Sequence, residues 1–308
     1  MILTVTLNAA LDITYRLPRL RPHGTNRITE VSERPGGKGL NVARVLASLG
    51  HRTVATGFAG GGTGEALRAL LADTDVTDAL VPVGGTTRRT VAVVDEATGD
   101  TTQLNEPGPT VSPAEWDAFL GTYRELLDGA RAVALCGSLP PGVPVDVYAR
   151  LTRAARTAGV PVLLDTSGEP LRRGLAARPD LAKPNADELA ALTGSTEPLR
   201  AARDARRRGA HAVAASLGPD GMLAVTADGA WQAAPPQRIA GNPTGAGDSA
   251  VAGLLSGLVE DLPWPERLSR AVALSAATVR APAAGEFDAA TYEELLPRVV
   301  VTDHPSAA

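Results

Sequence analysis

With 308 residues, 44% hydrophobic and 21% charged, the chain is long enough for one large α/β domain and has the make-up of a soluble globular protein. A net charge of −4 gives no broad basis for binding nucleic acid, and the single cysteine, Cys136, excludes a disulfide framework or a Cys-rich metal site. The four histidines lack ligand spacing, no apolar run nears the roughly 18 residues that span a bilayer, and MILTVTLNAALD lacks the basic start of a signal peptide. A cytoplasmic protein with neither nucleic-acid nor membrane partners is expected.

Along the chain, ILTVTL at 2–7 is a β-branched run that predicts a buried strand ending at Asn8. The stretch from Asp12 to Glu33 is polar and broken by Pro18 and Pro22. Leu40, Val42, Val45, Leu46 and Leu49 then form a helical stripe closed by Gly50. TVATGF predicts a strand and EALRALLA a helix, while TVAVVDEATGDTTQL predicts a hairpin turning near Thr98–Gly99. Beyond Pro107 strands and helices alternate. PAEWDAFLGTYRELL, VDVYARLTRAART, ADELAAL, PLRAARDARRRG and GDSAVAGLLSGLVE are helical in pattern; AVALCG, VPVLLD, AVAASLG and MLAVTA are strand-like. Repeated β–α units with wholly apolar strands imply a mainly parallel sheet covered by helices on both faces. The polar β segments at about 12–34 and 86–106 interrupt that rhythm and predict an antiparallel flap within a single 1–308 domain. The flap's apolar face suggests packing against a second copy of the chain, and the tail HPSAA reads as loosely held.

Ligands of such sheets gather beyond the carboxyl ends of the strands, where loops lead into helix N-termini. In GNPTGAGDS, small residues let the amides of Gly245, Ala246 and Gly247 approach an anion at the start of an apolar helix. Asp248 would repel a phosphate there. It fits either a helix N-cap or a base taking the proton of a hydroxyl that attacks a phosphoryl group. Only two lysines occur, Lys38 in GGKG and Lys183 in AKPN. Lys38 in the first turn of a helix opposes the macrodipole unless an anion binds there, and Asn41 follows one turn later. In KPNADE, Asn185 and Glu188 match a capping box, while Glu188 could also serve a Mg²⁺ ion through water. SLGPDG, with Ser216, Gly218 and Gly221, is a Gly-rich turn that could contact a nucleotide. Together these loops suit phosphoryl transfer, and the absence of GxGxxG after the first strand rejects a Rossmann oxidoreductase.

In this order TVTLNAALD, PGGKGLNVARVL, GGTTR, LNEPGP, GSLPPGVP, DTSGEPL, KPNADEL, SLGPDG and NPTGAGDS resemble the PfkB, or ribokinase-like, carbohydrate kinases, end to end. The branch is that of 1-phosphofructokinase and tagatose-6-phosphate kinase. The resemblance implies a three-layer αβα fold with a small β-sheet lid, ATP with Mg²⁺, Asp248 as catalytic base and Gly245 to Gly247 as anion hole. It puts Asp12, Gly37 and Asn41 beside the sugar, and Lys38, Arg27 and Arg88 at the phosphate the substrate already carries. Lys183, Asn185, Glu188, Ser216, Gly218, Gly221 and Thr244 fall on the nucleotide and metal side. Two departures stand out: Ala9 replaces the family's usual Pro, and Thr90 replaces an Asn able to reach the sugar. The implied reaction is phosphorylation of fructose 1-phosphate to the 1,6-bisphosphate. The alternatives are tagatose 6-phosphate or fructose 6-phosphate as acceptor, another sugar or nucleoside, or a non-catalytic sugar-phosphate sensor. Closure of the lid over the sugar is expected to exclude water.

Overall fold

The computed structural model describes residues 1–304. In chain order its first half contains β1 (Ile2–Thr6), β2 (Ala10–Leu17), β3 (Glu30–Gly36), α1 (Lys38–Ser48), β4 (Thr53–Ala59), α2 (Gly61–Ala72), β5 (Val76–Pro82), β6 (Arg88–Asp95) and β7 (Thr101–Asn105). Then come α3 (Pro113–Leu127), β8 (Ala132–Cys136), α4 (Val147–Thr157), β9 (Val162–Asp165), α5 (Gly168–Ala176), β10 (Leu181–Ala182), α6 (Ala186–Thr193) and α7 (Pro198–Arg207). The last part holds β11 (Ala212–Ser216), β12 (Met222–Val225), β13 (Ala230–Ala234), α8 (Ala246–Val259), α9 (Trp264–Thr278), α10 (Ala289–Leu295) and β14 (Val300–His304).

The main sheet runs β14-β13-β12-β11-β10-β9-β8-β1-β4-β5. From β5 to β11 every pairing is parallel, and β12 to β14 add an antiparallel edge. Alternation along β1 explains the three layers. Leu3 and Val5 pack with Phe119, Tyr148 and Leu164 on the side of α3 to α7, whereas Ile2 packs with Val42, Val251 and Leu274 on the side of α1, α8 and α9. Fully burying each such large side chain contributes roughly 1.5–3 kcal/mol. Local signals agree with this packing: α3 begins with a complete Ser112–Glu115 capping box and Pro113. The αβα architecture is thus as the sequence implied. Of the HPSAA tail, His304 pairs with Ala230 at the end of β14; residues 305–308 lie outside the described residues.

The flap differs from its expected form. Its four strands run β3-β2-β6-β7, and the central pair, β2 with β6, is parallel although both outer pairs are antiparallel. Two hairpin-like segments far apart in sequence are joined side by side, which local turn signals cannot reveal. The parallel register sets Ala10 opposite Arg88 and Asp12 opposite Thr90, so Asp12, Arg88 and Thr90 share one face. The other face is apolar: register aligns Val31, Tyr15 and Val93 across three strands, and Ile13, Val91 and Leu104 across three. Val31 and Leu104 on this face are 56% and 58% exposed.

Candidate active site

The carboxyl ends of the parallel strands converge on two adjoining clefts. The first, about 530 Å³, is lined by Asn185, Ser216, Gly218, Gly221, Ala246 and Gly247, with Val272 and Val279 forming an apolar wall. The second, about 410 Å³, is lined by Asn8, Gly37, Lys38, Arg88, Ser138 and Glu188. The start of α6 divides them.

Asp248 occupies the third position of α8 and is 7% exposed. It is not the N-cap. Gly245 fills that place with φ 84°, and an added Cβ there would come within 2.7 Å of Ala284. The Asp248 carboxylate instead accepts a hydrogen bond from Asn41 Nδ2 at 2.8 Å, across 207 residues of sequence. Burial lifts its pKa to about 6, against the opposing pull of Lys38, with Asp165 adding to the rise. A buried, charge-bearing group with one neutral partner is poised to take a proton.

Of the three amides expected to receive an anion, one is engaged within the loop. Ala246 N–H donates to the Pro243 carbonyl at 3.1 Å. Among the described residues the N–H groups of Gly245 and Gly247 have no such backbone acceptor. Thr244 is exposed at the mouth of the loop, where its N–H donates to Asn242.

On the lid side, a Cβ on Gly36 would collide with the Asp12 carboxylate at 2.1 Å, so the first glycine of PGGKG is required for the aspartate to lie over it. Burial raises the Asp12 pKa to about 6, partly countered by Arg88. Arg88 is fixed by donation to the Asn8 carbonyl at 3.1 Å and to the Thr90 hydroxyl at 3.3 Å. Thr90 therefore holds the arginine, a role its replacement of an Asn did not suggest. Arg89 turns away and pairs with Glu106. Ala9 is buried with Leu40 and Ala43. Arg27 is exposed on the loop joining β2 to β3 and lines neither cleft of its own chain.

The two lysines were expected at opposite ends of the site. Both converge on one carboxylate. Lys38 Nζ lies 3.1 Å from Asp165 Oδ2, and Lys183 Nζ lies 3.4 Å from Asp165 Oδ1. Burial alone would lower the Lys38 pKa, but the carboxylates of Asp165, Asp248 and Glu188 outweigh it and hold the ammonium above its usual range. Lys183 is 3% exposed and lies beneath Gly247 rather than in the wall of the first cleft. Asp165 was missed in the sequence. Its local signals are that it closes the apolar strand VPVLLD at the ligand-bearing edge of the sheet and opens the stretch DTSGEPL, to which no role was attached.

The capping box at α6 is real: Asn185 accepts from the Glu188 N–H at 2.8 Å, and Glu188 Oε2 accepts from the Asn185 N–H at 2.9 Å. Among the described residues no group of three His, Cys, Asp or Glu could enclose a metal. A Mg²⁺ ion held by one carboxylate, waters and substrate phosphates needs no such enclosure, and Glu188 retains a second oxygen beyond its cap.

A family model described as pfkB family carbohydrate kinase matches residues 5–290. The chain belongs to the PfkB family of carbohydrate kinases. It is 41% identical over 283 residues to a 1-phosphofructokinase of Rhodobacter capsulatus, covering 89% of this chain and 90% of that protein. Among solved structures, the tetrameric inhibited form of Escherichia coli phosphofructokinase-2 superposes with a TM-score of 0.90 at 34% identity, covering 96% and 98% of the two chains. A Thermotoga maritima protein named "Possible 1-phosphofructokinase" gives 0.91 at 28% identity over 99% and 100%. The two clefts of this PfkB kinase thus belong to a sugar-phosphate kinase.

Proposed function

We propose that this PfkB kinase is a cytoplasmic, ATP-dependent 1-phosphofructokinase that converts fructose 1-phosphate to fructose 1,6-bisphosphate. The observation that carries the reading is the buried Asp248, held by Asn41 where a glycine-lined, partly apolar cleft adjoins one bearing Arg88 and Lys38. The first cleft suits a nucleotide: Asn185, Ser216, Gly218 and Gly221 border it, with Thr244 at its mouth and Lys183 below. The second suits an anionic sugar, because Arg88 is held by the neutral Asn8 carbonyl and Thr90 hydroxyl and a phosphate would supply its counter-ion.

In the reaction, the C6 hydroxyl oxygen attacks the γ-phosphorus, its proton passes to Asp248, and the bond from that phosphorus to the ADP oxygen breaks. Gly245 and Gly247 amides stabilise charge on the transferring oxygens. Mg²⁺ offsets phosphate charge when bound. Asp12, with Gly37 and Asn41 nearby, orients the sugar hydroxyls, and Arg88 takes the resident phosphate. The apolar outer face of the lid supports a homodimer formed through it.

The test is ADP release from MgATP with fructose 1-phosphate, tagatose 6-phosphate, fructose 6-phosphate and their unphosphorylated parents. A kcat/KM for fructose 1-phosphate at least tenfold above every other acceptor is expected. Preference for a 6-phosphate would refute the substrate assignment, and turnover only of unphosphorylated sugars would refute the role of Arg88.

A further inference from the structure

Two lysines on one buried aspartate are more than a scaffold needs. The Asp165 side chain is 0% exposed and that of Lys183 4%, while Lys38 is 41% exposed toward the second cleft. A structural pair would be satisfied by one cation, and a second ammonium beside it without a further anion sets like charges together. The second anion is Asp248, whose charge acts on both lysines. Asp165 and Asp248 act on both lysines at rest, and Glu188 adds to the field on Lys38.

That field changes during transfer. When Asp248 takes the hydroxyl proton, its negative charge disappears and the positive potential from the two lysines rises. The rise occurs where the phosphoryl group passes between the clefts. Lys38 lines the acceptor cleft. Lys183 Nζ lies 3.8 Å from where a Cβ on Gly247 would stand, beneath an anion-loop residue that lines the nucleotide cleft. Between them the backbone that carries Asp165 is fixed: its carbonyl accepts from Gly137 N–H at 2.9 Å, and the neighbouring Leu164 carbonyl accepts from Lys183 N–H at 2.9 Å.

We propose that Asp165 is a positioning residue for phosphoryl transfer, whose carboxylate oxygens aim the ammonium groups of Lys38 and Lys183 at the travelling group from the acceptor and nucleotide sides. Lys38 then serves the group in transit as well as the acceptor cleft's general charge. This rests on the phosphotransferase reading above, but not on which sugar phosphate is the acceptor.

Wild type is assayed first against the acceptor panel, and its best substrate is used throughout; a best acceptor other than fructose 1-phosphate changes the substrate assignment and leaves this test intact. Asp165→Asn should lower kcat about a hundredfold, with KM for the sugar phosphate within threefold of wild type. In a Lys38→Met, Lys183→Met background, where Asp165 has nothing left to aim, the same substitution should cost less than threefold. A kcat within threefold of wild type for Asp165→Asn alone, or an equal fold-loss on both backgrounds, overturns the proposal. If melting curves show that Asp165→Asn does not fold, Lys38 carries the test through Lys38→Met and Lys38→Arg. The expected result is a kcat at least thirtyfold down in Lys38→Met, partly restored in Lys38→Arg, with KM little changed. A raised KM at unchanged kcat assigns Lys38 to the resident phosphate alone and overturns it.

Discussion

Helices α6 and α8 both begin at the ligand-bearing edge of the sheet, and both carry an acid at their third position, Glu188 in one and Asp248 in the other. Their environments could hardly differ more. Glu188 turns back on its own helix, accepts the Asn185 N–H and completes a capping box. Asp248 makes no cap: Gly245 takes that place, and the carboxylate points inward to Asn41. An acid one turn into a helix gains from the macrodipole in either case. What separates them is that at α6 the cap consumes a carboxylate oxygen, whereas glycine at α8 leaves the acid free for a distant partner and for chemistry.

The largest test of this difference is Asp248→Asn. It should lower kcat by at least about a thousandfold, within the range lost with a general base. The same variant should be more stable than wild type. The Asp248 pKa is about 6 in the fold against the usual 3.8. The native state therefore binds the extra proton between those values, and stability falls as pH rises through that window. At pH 7 the neutral amide removes a penalty of up to about 3 kcal/mol. Thermal melting at pH 7 checks it; a variant both slow and less stable would mean that the carboxylate supports the fold.

The pH profile comes next. Asp248 must be ionised to accept a proton, and Asp12, also raised to about 6, is the better hydroxyl acceptor when ionised. kcat/KM should therefore fall on the acid side of pH 6, by more than tenfold per unit where both groups titrate. Asp12→Asn should lower activity and reduce the remaining acid limb to a slope of one. A profile flat down to pH 5 would remove Asp248 as the base.

Glu188→Gln is expected to act on metal and leave the helix intact. Glutamine can still complete the capping box, so the melting temperature should hold. The Mg²⁺ concentration for half-maximal rate should rise roughly tenfold, as for other groups that hold a metal at one remove. An unchanged requirement would leave Glu188 as a cap alone.

The sequence disclosed what local periodicity and short motifs can carry. VPVLLD and AVALCG are strands because their residues are apolar up to the closing Asp165 and Gly137, and helices cover the sheet on both faces. Ser112 and Glu115 mark the start of α3 within a single turn. Asp248 and Lys38 stood out because charge met a helix N-terminus. The hidden features are those that depend on distance along the chain. Lys38 meets Asp165 across 127 residues, and no pattern around either names the other. The parallel pairing of β2 with β6, which sets Asp12 beside Arg88, likewise has no local signature. Arg27, placed at the phosphate by the resemblance alone, also has no local signal to say which cleft it serves, and it lines neither cleft of its own chain.

Asn185 offers the smallest and most discriminating change. As N-cap of α6 it accepts the Glu188 N–H, so Asn185→Ala should cost about 1 kcal/mol. In a chain of this size that corresponds to a fall of about 1–2 °C in Tm. Asn185 also lines the first cleft, where an amide can both donate and accept. Asn185→Ser separates the two roles, because serine caps a helix nearly as well yet cannot reproduce the amide. If Tm returns and the KM for ATP stays raised, Asn185 serves the nucleotide as well as the helix. Recovery of both would reduce it to a cap and leave α6 with structural groups alone at its first residue, in contrast to α8, whose cap is a glycine chosen to leave the site open.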